Sequence, residues 1–326
     1  MAPASQARPV RLLTTGGTIS MHGQTAQPRL DGAGMVAAIP ALAAVTQLTV
    51  QDVLSLPSSQ ITLAQALELA QLAGAAAAAG EGVAITTGTD TLEELAMLCW
   101  LTHGGKSPIA ITGANRTAGA PGADGPANLL DAVMVAACEQ AQGLGTVVVF
   151  GGEIHAASGV RKVDATGPRA FGSPLTGPIG RVVGGRVWLA SRPLRPPTLK
   201  PGSLTHRVPI VTAALGEDGA ALSAAATGAD GLVVTAFGAG HLSAGMLGAL
   251  REAVARIPVA LTVRPERGAI LHDTYSFDGD ERDLRASGAV CAPFLSPVAA
   301  RIALLCCLGA GLDRPAIAAA LAPWDV

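Results

Sequence analysis

The chain sets hydroxyl, carboxylate and ammonium side chains beside glycines at the ends of apolar runs. The first such place is Thr14-Thr-Gly-Gly17-Thr18-Ile-Ser20. Two glycines allow a tight turn and close approach of backbone to a ligand, and Thr18 presents a hydroxyl just beyond them. A glycine turn followed by an incidental threonine fits the same residues. The second is Ile85-Thr-Thr-Gly88-Thr89-Asp90-Thr91-Leu-Glu-Glu94. Thr91-x-x-Glu94 matches a capping box, which gives Asp90 or Thr91 a purely structural use. Capping requires neither Gly88 nor Thr89, and both fall at a helix N-terminus, where backbone N–H groups favour developing negative charge. The third is Gly159-Val-Arg-Lys162-Val-Asp164. A lone lysine among charges usually belongs to a solvated face, whereas an enclosed one can lose its proton and serve as a base toward a hydroxyl.

Five nearly continuous apolar runs read as strands covered on both faces: Val10–Thr14, Leu48–Val53, Val83–Thr87, Ile109–Thr112 and Thr146–Phe150. Between them Leu63, Ala66, Leu67 and Ala70 recur at helical spacing. Thr91–His103 reads as a second helix, and Asp124–Glu139 as a third, opening on a cap at Asp124 and an early proline, Pro126. This alternation predicts an α/β fold with a doubly wound, mainly parallel sheet, in which ligands gather at the carboxyl ends of strands. Ser191–Gly202 carries four prolines in twelve residues and reads as a linker. The expected organisation is a larger domain over residues 1–190, a linker over 191–207, and a smaller α/β domain over 208–326. Strands of the smaller domain are expected at Val208–Thr212, Leu232–Ala236 and Val259–Val263.

Composition narrows the partners. The 326 residues carry 22 Lys+Arg against 24 Asp+Glu, and aromatics are only 3%. A nearly neutral chain lacks the field that neutralises a phosphate backbone, and few aromatics leave few stacking platforms, so nucleic acid is not expected as a partner. Mean hydropathy is +0.43, much of it from alanine. The longest apolar stretches, such as Ile302–Leu308, fall far short of the ~20 residues of a membrane span. Residues 1–9 are polar with no apolar core of a signal peptide. Five cysteines without C-x-x-C spacing suit a reducing compartment, so a cytoplasmic protein is expected. Six scattered histidines match no metal-binding pattern, and Gly238–Gly245 has the wrong spacing for a dinucleotide loop, so no metal and no cofactor are expected.

Taken together, these motifs resemble the bacterial-type L-asparaginase family in order and spacing over most of the first 190 residues. Pro57-Ser-Ser59-Gln60, Thr112-Gly-Ala114-Asn-Arg116, the Ala123–Leu130 stretch and Ser173–Gly180 add to the resemblance. The C-terminal third matches more loosely, through Asp230–His241 and Ala286-Ser-Gly288. The resemblance implies hydrolysis of L-asparagine to L-aspartate and ammonia, with no cofactor. It implies Thr18 as nucleophile of an acyl-enzyme, and Thr89, Asp90 and Lys162 as a second group in which Lys162 tunes the Thr89 hydroxyl. Ser59 would hold the substrate carboxylate, Gln60 and Asp90 its ammonium, and the Ala114 carbonyl would face the leaving nitrogen. Backbone N–H groups near Gly17 and Thr89 would hold the oxyanion, and Gly88 would line the substrate site. A homotetramer built as a dimer of dimers is also implied.

The sequence departs from the family pattern in two places. The loop Ser20–Asp31 lacks the family's usual tyrosine, which leaves His22, Gln24 or Thr25 as substitutes, or a relay that runs differently. Its polarity and the glycines at 23, 32 and 34 suggest a lid. The acid that the family lends from the smaller domain is open among Asp273, Asp278, Asp280 and Glu281, and His241 stands where relatives often have Asn. The only tyrosine is Tyr275, so any phenol near Thr18 would have to come from it, from this chain's smaller domain or a neighbour's. Other readings are a broader glutaminase-asparaginase, an ammonia-supplying amidotransferase subunit (which would carry an extra N-terminal domain), and a non-catalytic amino-acid sensor. A nicotinamide-dependent oxidoreductase would rest on Gly238–Gly245 alone.

Overall fold

The computed structural model describes residues 7–22, 27–28 and 31–325. The chain divides into two compact units, residues 1–198 and 199–326.

In the larger unit, strands β1 (Val10–Thr14), β2 (Leu48–Asp52), β3 (Gly82–Thr86), β4 (Ile109–Thr112) and β5 (Thr146–Phe150) run parallel. Val10, Leu12 and Leu13 of β1, Val83 to Ile85 of β3 and Ile109 to Ile111 of β4 are fully buried, as both-faces coverage demands. Beyond β5 the chain reverses. β6 (Glu153–Ala156), β9 (Gly180–Val183) and β10 (Arg186–Leu189) extend the sheet antiparallel, giving the order β10-β9-β6-β5-β4-β3-β1-β2. The short strands β7 (Arg161–Lys162) and β8 (Phe171–Gly172) form their own antiparallel pair. The prediction of a doubly wound, mainly parallel sheet is borne out, and the antiparallel extension is new. Its signal was Gly184-Gly185, both at positive φ (55° and 72°) between two alternating runs, the pattern of a tight hairpin.

Helices cover the sheet. α1 spans Gly32–Ala37, α2 Leu63–Ala78, α3 Leu92–Thr102 and α4 Gly125–Ala137. α2 opens on a reciprocal capping box of Thr62 and Gln65. Its alanines 73, 76 and 77 are buried, and such small side chains let it lie close to α3 and β3. α3 is apolar almost all round, with Leu92 and Leu95–Leu101 buried, so it is a core helix whose position is set by packing.

In the smaller unit, β11 (Ile210–Thr212), β12 (Leu232–Ala236), β13 (Val259–Val263) and β14 (Val290–Cys291) form a parallel sheet in that order. It is covered by α5 (Ala220–Ala226), α6 (Ala244–Arg256), α7 (Glu281–Ala286), α8 (Pro297–Gly309) and α9 (Arg314–Leu321). Residues 191–209 contain no helix or strand. The first part of this proline-rich run is tied to the larger unit. Arg192 donates to the carbonyls of Gln140 and Gln142, and Arg195 to those of His103 and Gly105. Gly202 N–H, farther on, donates to the Gly309 carbonyl of the smaller unit at 2.9 Å.

Candidate active site

β1 pairs with β2 on one side and β3 on the other, so the chain order reverses at β1. In an open α/β sheet that switch opens a crevice at the carboxyl ends of the strands. The ends are level: Thr14 is opposite Asp52 and Thr86, and Thr86 is opposite Thr112. Four loops therefore leave the sheet at one height.

Glycines let these loops touch backbone to backbone. Gly16 and Gly17 have φ of 96° and 81°, which an L side chain adopts only under strain. A Cβ on Gly17 would overlap the Gly88 nitrogen and lie 2.6 Å from its Cα, and one on Gly88 would come within 2.6 Å of Ser58 Oγ. One on Gly113 would reach 2.5 Å from the Thr87 carbonyl oxygen. Gly17 and Gly88 each precede one of the candidate threonines, so their contact brings the Thr18 and Thr89 loops together. Ile19 then packs at the start of α4, where a Cβ on Gly125 would meet both Ile19 and Ala114.

Lys162 reaches this place from β7. Its Nζ donates to Thr89 Oγ1 at 2.8 Å and lies 3.5 Å from Asp90 Oδ1. Thr89 is buried, the Lys162 side chain is 20% exposed and that of Asp90 is 62% exposed. An ammonium held against a buried hydroxyl, beside a carboxylate open to solvent, can stabilise charge on the threonine oxygen or relay its proton. Ser59 and Gln60 stand exposed on the 3-10 turn Ser58–Gln60, which follows β2, and Ala114 is fully buried in the loop that follows β4.

Several supporting residues escaped the sequence reading. The capping box at Thr91 and Glu94 does not form. Thr91 occupies the cap position of α3 without a side-chain cap bond, and its Oγ1 donates to the Ser58 carbonyl at 3.0 Å. Ser58 Oγ in turn accepts the Asp90 N–H at 3.1 Å, so Ser58 and Thr91 lock the turn bearing Ser59 to the loop bearing Asp90. Asp124 is likewise a cap residue whose side chain does not cap α4. Its carboxylate accepts the N–H groups of Asn115 and Arg116 at 3.0 and 2.9 Å. Asn115 Nδ2 donates to the Gly167 carbonyl at 2.7 Å, and Asn128 bridges the Gly113 carbonyl to the Gly151 N–H. Asn128 lay in a stretch singled out above, but its double bond becomes visible only once β4 and β5 are adjacent. Glu93 carries the Lys162 main-chain N–H on Oε2 at 2.8 Å. Burial pushes its carboxyl up to about 7; that N–H and the charges of Arg161 and Lys162 pull it down, while Glu94 raises it further.

The lid expectation, with His22, Gln24 and Thr25, falls on residues 21–30 and lies outside the described side chains. In the smaller unit, two of the four candidate acids are consumed locally. Asp280 caps α7 and pairs with Arg282, and the buried Glu281 accepts the Thr274 and Tyr275 N–H groups. Asp273 and Asp278 are exposed. Tyr275 packs edge-on to His241, with ring centroids 4.6 Å apart. The glycines of Gly238–Gly245 are spent on packing: a Cβ on Gly240 would meet Ile270, and one on Gly245 would meet Asp218. That removes the basis of the dinucleotide reading. Among the described residues, no group of three or more metal-ligating side chains gathers and no helix is long and apolar enough to cross a membrane.

Comparison with known proteins agrees with this geometry. The N-terminal asparaginase family model matches residues 9–195, and the glutaminase/asparaginase C-terminal domain model matches residues 207–321. A probable L-asparaginase of Deinococcus radiodurans is 39% identical over 320 residues, 96% of each chain. An L-asparaginase of Bacillus licheniformis is 31% identical over 86% of this chain and 89% of its own. The crystal structure of a probable cytoplasmic L-asparaginase from Campylobacter jejuni superposes with a TM-score of 0.86, at 27% identity over 97% of this chain and 99% of that one. Both units, in order and over nearly their full length, place this chain in the asparaginase family.

Proposed function

We propose that the protein hydrolyses L-asparagine to L-aspartate and ammonia through a threonine acyl-enzyme. The observation that carries this reading is the 2.8 Å contact of Lys162 Nζ with Thr89 Oγ1 on a loop that touches the Thr18 loop through Gly17 and Gly88. Thr18 Oγ1 attacks the side-chain amide carbon. Its proton passes to the amide nitrogen, ammonia leaves, and water then opens the Thr18 ester. The Thr89–Lys162–Asp90 group carries protons for the two steps. Backbone N–H groups at Gly17 and Thr89 face the oxyanion, and Gly88 lines the substrate site. Ser59 takes the substrate carboxylate, Gln60 and Asp90 its ammonium, and the Ala114 carbonyl accepts from the leaving nitrogen. No cofactor enters the scheme. The protein acts as a homotetramer, a dimer of dimers, with a solution mass about four times the 32.4 kDa chain. Its five cysteines, none of them in a disulfide, suit a cytoplasmic setting.

The test is ammonia release from L-asparagine, L-glutamine and D-asparagine. Thr18→Ala is expected to lower kcat at least ~1000-fold, and Lys162→Met ~100-fold or more, with the fold intact by circular dichroism. Retained turnover in Thr18→Ala rejects the nucleophile. Equal turnover of asparagine and glutamine replaces the asparaginase reading with the broader glutaminase-asparaginase.

A further inference from the structure

We propose that Glu93 is a positioning residue for this reaction: its carboxylate holds the Lys162 main-chain N–H and so sets where the Lys162 ammonium meets the Thr89 hydroxyl. The inference rests on the amidohydrolase reading above and adds a residue to it.

β7 is two residues long and pairs with β8 through Lys162 opposite Phe171. A strand that short has few ladder bonds to fix it. The Val163 N–H adds a bond to the Ala170 carbonyl at 2.7 Å, and Glu93 adds a support from outside the strand pair: its Oε2 takes the Lys162 N–H at 2.8 Å across 69 residues of sequence. Residues 89 and 93, four apart on one loop and helix start, therefore grip a single residue twice. Thr89 takes its ammonium, and Glu93 takes its backbone. The grip is stiff on the Glu93 side, because Leu92, Leu95 and Ala96 bury the first turn of α3. A glutamate in the first turn of a helix is ordinarily explained by the helix dipole. Here the carboxylate is turned to a distant strand, so the dipole does not account for its direction.

The charges around Glu93 come from two elements. Glu94 on its own helix disfavours ionisation, while Arg161 and Lys162 on β7 favour it. Asp90 faces Lys162 at 3.5 Å. Of the elements packed against α3, β4 and β5 contain no titratable residue, and the only one in α2, Glu68, is exposed. Burial dominates, and Glu93 titrates at about 7. An ionised carboxylate makes the stronger, shorter acceptor. The grip on Lys162 is therefore expected to tighten as pH rises through about 7 and to slacken below it.

Two measurements test this. In 15N-labelled wild type, the Lys162 amide shift should titrate with a midpoint near 7, and this titration should vanish in Glu93→Gln. In ammonia-release assays from about pH 5 to about pH 9, wild type should gain kcat through an inflection near 7. Glu93→Gln keeps an acceptor oxygen without a charge. It should hold kcat within ~3-fold at alkaline pH while losing the inflection, and Glu93→Ala should lose ~10-fold or more in kcat with KM within ~2-fold. A Lys162 amide that does not titrate near 7, an inflection that persists in Glu93→Gln, or full kcat in Glu93→Ala overturns the proposal. If Glu93→Ala does not fold, the amide titration and Glu93→Gln decide. If wild type releases no ammonia from any amide, the hydrolase reading fails, and the amide titration still judges the contact itself.

Discussion

Gly17 and Gly88 do for the site what no side chain could, because a Cβ on Gly17 would stand on the Gly88 main chain and one on Gly88 on the Ser58 side chain. A Gly17→Ala change adds both an overlap with Gly88 and a methyl at φ 81°. Strain of that kind costs roughly 1–3 kcal/mol. A shift of the Thr18 loop by about 1 Å is worth ~100-fold in rate. The expected outcome is a folded protein, a few degrees less stable by calorimetry, with kcat reduced ~100-fold. Glu93 adds a pH signature to the stability curve. Its folded-state value, about 7, lies above the ordinary 4.5, so the native state binds the extra proton between those limits. Its ionisation therefore lowers stability as pH rises from about 4.5 to about 7. Glu93→Gln should flatten that part of the Tm–pH profile, which a melting series across the range will show.

At the scale of elements, α3 and α4 begin with residues that look like caps and behave as clasps for neighbouring loops. Asp124→Ala leaves the Asn115 and Arg116 N–H groups without their acceptor and should cost about 1–3 kcal/mol in chemical denaturation, together with a raised KM for asparagine. Ser296→Ala is the contrast. Its Oγ caps α8 in the smaller unit, so removal should cost ~1 kcal/mol with kcat unchanged. These clasps also mark where the sequence stopped being legible. Strands β1 to β5 were readable because burial on both faces writes itself locally, as a run of apolar residues. The start of α3 was placed within one residue, yet the use of Thr91 and Glu93 was not, because their partners, Ser58 and Lys162, are 33 and 69 residues away. Thr18, Thr89 and Lys162 stood out through their glycines and their place in a family pattern. Ser58, Asn115, Asn128 and Glu93 lay inside the motif stretches, but their use carried no local mark, since each bonds to a backbone group that only the assembled sheet brings near.

For the whole molecule, the thiols offer a simple check of the core. None of the five cysteines is in a disulfide, and Cys138 alone of them is not buried. A thiol reagent should label one site quickly in the native protein and five after unfolding, and a reductant should leave Tm unchanged. A second consequence follows from the reversal of the sheet after β5. The Thr89 hydroxyl and the Lys162 ammonium are 73 residues apart, and the strand that carries Lys162 has its pairing partner only at Phe171–Gly172. A growing polypeptide thus has the Thr18 and Thr89 loops long before it has the ammonium that meets Thr89. Nascent and truncated chains ending before Gly172 are expected to be inert toward asparagine, which keeps the cell's amide pool out of reach until the larger unit has closed on itself.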